Sequence, residues 1–182
     1  MTASEHILIL LSLVVSLALA HLLSGIARLI HGQNVQWSWL HGAWMLLVFL
    51  LLIDFWISAW QLRHQEAWNF LQVLFWMTMA TIQYLIAALV VPEEVPESGI
   101  TLSDFHEKNR SRYIGLFLVN LAFAMAANLM LEGFSSANYI NLLGFILLTL
   151  AGFAKQRWLQ WIGTIGTLAV FSIYFTIYMS DI

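Results

Sequence analysis

The chain has 182 residues, 61% of them hydrophobic and 9% charged, with a mean hydropathy of +0.82 and a formal net charge of −3. Soluble domains carry about a quarter charged residues, so an ordinary soluble fold is excluded and an integral membrane protein is expected. The sequence has no cysteine, which excludes disulfides, thiolate metal sites and iron–sulfur clusters, and no basic block or phosphate-cradling glycine loop, which argues against nucleic-acid and nucleotide partners.

A bilayer core about 30 Å thick needs roughly 20 apolar residues per spanning helix. The chain supplies six such runs, near 7–30, 38–62, 68–91, 113–131, 137–154 and 158–179. The expected fold is therefore all-α, a polytopic bundle of six transmembrane helices forming a single membrane domain. Residues 92–112 form the one long linker.

The first run is preceded by Glu5 and by no lysine or arginine, which argues against a cleavable signal peptide despite the small-x-small Ala18-Leu19-Ala20. Within it, His21, Ser24, Arg28 and His31 recur at 3-4-3 spacing and share a face. Arg28 is close enough to the end to snorkel to headgroups, whereas His21 falls near mid-membrane. His31 and His41 flank the short connection to the second run, where water is available, and read as interfacial.

The second run contains Asp54 inside LLIDFWISAW, with Ser58 and Gln61 at i+4 and i+7 on the same face. A charge there costs about 3 kcal/mol or more, so the carboxyl must be paired, hydrated or protonated. Arg28 lies about 20 Å away and Arg63 about 13 Å along the membrane normal by helix rise. The groups nearest its level are Ser16, Gln72 and Asn128, with His21 somewhat deeper. No cation accompanies the carboxyl, so it is a candidate proton carrier.

On the third run Asn69, Gln72, Trp76, Ala80, Gln83 and Ala87 form one stripe, which is expected to face other helices. Trp44, Trp56 and Trp76 lie deep and read as packing. The linker PEEVPESGITLSDFHEKNRSR holds eight of the 17 charged residues and both prolines. Thr101 to Asp104 has capping-box spacing that starts a short surface helix running into the fourth run. The linker is expected to be solvated, with its basic end on anionic lipid rather than in a docking site.

The fourth run carries Asn120, Ala124, Ala127 and Asn128. The fifth carries Asn141, Gly144, Leu148, Ala151, Gly152 and Lys155, and the sixth Gly163, Gly166 and Thr167. These stripes let helices approach closely, within one chain or between protomers of a homo-oligomer.

Arg28, Lys108, Arg110, Arg112, Lys155 and Arg157 fall on one side of the six spans and Arg63 alone on the other. The positive-inside rule then places both termini outside the cytoplasm and the linker inside. Three spans on each side of the linker allow an inverted 3+3 construction, although the halves share no motif.

Enzymatic and cofactor readings find no support. Retinal chemistry requires a mid-span lysine, and both lysines lie at loops or boundaries. Hydrolase motifs are absent from the sequence, no histidine–carboxylate metal spacing appears on one helix, and His21 and His41 differ by roughly 10 Å in depth, too far for a bis-histidine haem.

The expected function is a channel or transporter in the cell membrane. Its polar pathway candidates are Asp54, His21, Ser16, Ser58, Gln61, Gln72, Gln83, Asn120 and Asn128, with Asp54 exchanging protons. The competing expectation is a non-transporting accessory, assembly or sensor protein whose cytoplasmic linker meets a protein partner.

Overall fold

The computed structural model describes residues 2–131, 133 and 136–178. Among the described residues there are six α-helices: α1 Ala3–His31, α2 Trp39–Trp60, α3 Phe70–Val90, α4 Leu102–Leu131, α5 Ser136–Phe153 and α6 Arg157–Tyr178. Five of them are long and apolar enough to cross a membrane, and α5 is a shorter apolar helix. The fold is the all-α membrane bundle that the six apolar runs imply.

The helices begin where side chains can serve their first amides. At α1, Thr2 accepts from the Glu5 amide at 3.2 Å and Glu5 Oε2 accepts from the Thr2 amide at 2.8 Å, a reciprocal capping box. At α3, Asn69 and Gln72 make the same exchange at 2.9 and 3.0 Å. A single 3-10 turn, Gln61–His64, extends α2.

The chain divides into two compact units, 1–109 and 110–182, with the boundary inside α4. The first unit contains α1, α2 and α3, each packed against the other two, with α1 and α3 in the most extensive contact. Its ends are joined by contacts between residues far apart in sequence. At one end, Ser4 Oγ donates to the Gln65 carbonyl and accepts from Trp68 Nε1 at 3.0 Å. At the other, β1 (Val35–Gln36) pairs in parallel with β2 (Ile100–Thr101), Val35 opposite Ile100 and Gln36 opposite Thr101.

That second end is tightly seated. Gly99 adopts φ +91, and a Cβ there would lie 2.5 Å from the Asn34 carbonyl oxygen, so both conformation and space call for glycine. Gly25 of α1 lies against Val91, and the Arg28 guanidinium reaches the Pro92 carbonyl at 3.4 Å while also donating to Ser24 Oγ at 3.0 Å. Arg28 of α1 thereby also reaches just past the end of α3.

The linker is shorter than the charged stretch suggested. Residues 102–112 continue into the fourth apolar run as the first three turns of the 30-residue α4, with Asp104, Glu107, Lys108, Ser111 and Arg112 exposed and His106 and Arg110 buried.

In the second unit, α4, α5 and α6 meet through small residues. Gly163 of α6 sits on Ala151 and Leu147 of α5, and Gly152 of α5 meets Ile114 of α4. Phe117 and Phe171 pack edge to face at 6.3 Å. The carbonyls at the end of α5, which have no partner within the helix, are served from outside it: Arg110 Nη1 donates to Ala151 O at 3.1 Å and Ala154 O at 2.9 Å, and Gln160 Nε2 donates to Ala154 O at 3.2 Å.

Candidate functional site

Polar side chains inside the first unit occur at three levels. The buried side of α2 is formed by Leu47, Leu51 and Phe55 with their helical neighbours. Asp54 precedes Phe55 by one residue and so lies about 100° around the helix, at the margin of that face. It is half-buried, yet its Oδ1 is enclosed and accepts no hydrogen bond among the described residues. Phe55 meets Trp76 of α3 with ring centroids 6.2 Å apart, which sets Asp54 level with Trp76.

Gln83 follows Trp76 by two turns of α3, about 10 Å toward the paired strands. It is buried to 1% exposure, and its Oε1 is enclosed without a donor among the described residues. The adjacent Tyr84 receives His21 of α1 edge-on at 6.1 Å. His21 and Gln83 thus share a level, about 10 Å along the helices from that of Asp54.

A third level lies about 10 Å further, at the end of α3. His41, in the first turn of α2, is fully buried beside the Val90 backbone. It packs against His106 with centroids 5.8 Å apart and against Phe105 at 5.4 Å. Sequence reasoning placed His41 at a wet interface and did not single out His106. The structure differs because α4 starts at Leu102 and lays its first two turns over His41. The only sequence signal was the capping-box spacing before Phe105-His106, which announces a helix but not what it covers.

The remaining candidates are distributed. Ser16 is exposed on α1 in a groove that also holds Trp56, a tryptophan expected to pack but 51% exposed. Ser58 is half-buried, Gln61 is exposed in the 3-10 turn, and the Gln72 amide is engaged in the cap of α3. Asn120 and Asn128 belong to the second unit, where Asn120 is buried with Oδ1 lacking a donor among the described residues and Asn128 is half-buried. Asp54, Gln83 and His21 therefore share one unit, and the two asparagines lie in the other.

Among the described residues no three of His, Cys, Asp or Glu lie close enough together to hold a metal ion. Comparison with known proteins finds no matching family model, curated protein or solved structure.

Proposed function

We propose that this chain is a small multi-pass channel or transporter of the cell membrane in which Asp54 exchanges protons and the first three helices carry the polar pathway. The observation that supports this reading is the stepped series Asp54, then Gln83 with His21, then His41 with His106, three levels about 10 Å apart along one three-helix unit. Steps of that length are bridged by two or three waters, and such chains conduct protons between titratable groups. An apolar helix with no need of a carboxyl retains one whose Oδ1 has no protein donor, and intramembrane acids of this kind mark ion and proton routes. In the proposed orientation both termini face away from the cytoplasm, and the paired strands lie on the cytoplasmic side.

The test is proton flux into liposomes that contain the purified protein and a trapped pH indicator, under an imposed potential. The expected result is flux above empty liposomes that falls at least tenfold in Asp54→Asn. Equal flux in the wild type and Asp54→Asn removes the carboxyl from the pathway.

A second reading rests on a different observation. Residues 91–101 are held by the strand pairing and by Gly99 against Asn34, so Glu93, Glu94 and Glu97 stand exposed on an anchored loop. We propose as the alternative that this loop meets a cytoplasmic protein partner in an accessory or sensor role. Co-purification that is lost when the three glutamates are replaced by glutamine, together with an absence of flux, is the outcome this reading expects.

A further inference from the structure

A groove lies apart from the polar levels, on the flank of α2 that carries Trp56 and Trp60. Between Leu8, Ser12 and Ser16 of α1 and Trp56, Ala59 and Trp60 of α2 runs a groove of about 320 Å³. That volume is at the lower end of the roughly 300–1,000 Å³ typical of small-molecule sites. Leu8 to Ser16 is about 12 Å of helix by rise, so the groove is a slot along the helix axes rather than a round cavity. Its walls are apolar, and Trp56 and Trp60, one turn apart, are each about half exposed.

The slot has a cation at its end. The Arg63 guanidinium carbon lies 5.2 Å from the centre of the Trp60 ring, within cation–π range. Its Nη1 donates to the Trp60 carbonyl at 3.3 Å, so the charge is held beside the groove rather than free to sweep the surface. Among the described residues of the first unit Arg63 is also the one lysine or arginine at this end, since Arg28 and Lys108 belong to the strand-paired end. Two carboxylates share the Arg63 end: Glu5 is bonded to the Thr2 amide, and Glu66 is exposed.

An apolar slot parallel to the helices, walled by tryptophan and finished by an oriented guanidinium, matches one molecule abundant around any membrane helix. We propose that the α1–α2 groove binds an anionic phospholipid, with one acyl chain lying along Trp56 and Trp60 and the phosphate held by Arg63. A transmembrane helix of a second copy is a poorer occupant, because a helix is about 10–12 Å across with its side chains and the slot admits only a narrow chain. The proposal is independent of Asp54 and of the transport reading.

The test uses the full chain in a mild non-ionic detergent, titrated with phosphatidylglycerol or phosphatidylcholine of identical acyl chains and followed by native mass spectrometry. One phosphatidylglycerol is expected to bind saturably and about fivefold more tightly than phosphatidylcholine, the factor one cation contributes beside anionic lipid. Arg63→Gln should abolish that preference while leaving the weaker, chain-driven binding. Ser16→Phe, which fills the slot from an exposed position, should weaken both lipids. Melting curves in lipid-free detergent confirm that each variant is folded, and Ser12→Phe replaces Ser16→Phe if it is not. Equal affinity for the two lipids, or affinities unchanged by both substitutions, overturns the proposal. So does a dimer that Ser16→Phe converts to monomer while lipid binding is unaffected.

Discussion

Gly163 faces Ala151 so closely that a Cβ at position 163 would stand 2.6 Å from the Ala151 nitrogen and 2.6 Å from the Leu147 oxygen. The obstacle is the backbone of α5, which cannot rotate away. Gly163→Ala is therefore expected to push α5 and α6 apart and to destabilise by about 1–3 kcal/mol, the usual cost of overpacking. Gly42 and Gly115 lie in helices with open space where a Cβ would be. Alanine there should stabilise by about 0.5–1 kcal/mol through helix propensity alone. Thermal unfolding in one detergent should give shifts of opposite sign for these variants, and a Gly163→Ala protein as stable as wild type would contradict the packing.

Arg110 serves two carbonyls at the end of α5, and charge-assisted hydrogen bonds of this kind contribute about 1.5–3 kcal/mol. Arg110→Ala should lower the unfolding temperature and increase amide exchange over residues 151–154. Arg110→Lys should recover only part of the loss, because an ammonium lacks the guanidinium's planar fork.

Removing the Ser4 hydroxyl leaves the Gln65 carbonyl and Trp68 Nε1 without their partner. Ser4→Ala is expected to cost about 1–3 kcal/mol. It should also raise proteolysis between residues 61 and 69, where Ser4 bonds to both Gln65 and Trp68. Unchanged cleavage there would show that the connection is held by other contacts.

Gly99→Ala combines a left-handed φ with a steric contact at Asn34. Hydrogen exchange should quicken at residues 35–36 and 100–101 together, since among the described residues neither strand has another pairing partner. Exchange that quickens at 100–101 alone would mean that the pairing survives.

His41 and His106 touch directly, and aromatic pairs couple by about 0.5–1.5 kcal/mol beyond their burial. A double-mutant cycle with alanine at each position should recover a coupling of that size in thermal unfolding. A cycle that closes to zero would show that the two rings stabilise independently.

Much of the fold was legible because lipid imposes a simple rule on the chain: apolar runs of sufficient length become helices. The six runs differ from the observed helices by one to four residues at most ends, with α4 the exception. The stripe on α3 was also legible, and Trp76, Ala80, Gln83 and Ala87 are buried as one face. Asn69 and Gln72 belong to that stripe by angle but lie at the helix start, where their amides cap the backbone. A helical wheel reports direction and is blind to position along the axis.

What could not be read were the contacts between residues some 40 to 65 positions apart. The parallel pairing of Val35 with Ile100, the burial of His41 under His106 and the bonds from Arg110 to α5 have no local pattern. Each depends on what α4 packs against: the Thr101–Asp104 spacing announces a helix that begins at Leu102 but not which residues its first turns cover. Asp54 is the converse case: its oddity was plain in the sequence, and the structure adds the level it occupies and the enclosed Oδ1.

The ties at both ends of α1 also constrain how the protein is made. Ser4 must wait for Gln65 and Trp68, and Gly25 and Arg28 for Val91 and Pro92, separations of 61 to 66 residues. At about 5–20 residues per second of synthesis, α1 stands in the membrane for several seconds with its α3-facing side uncovered. It is the arrival of α3 that closes the first unit at both ends, so truncation before residue 65 should leave an inserted but unlatched helical hairpin of α1 and α2, and the translating ribosome sets the moment at which the unit becomes a folded object.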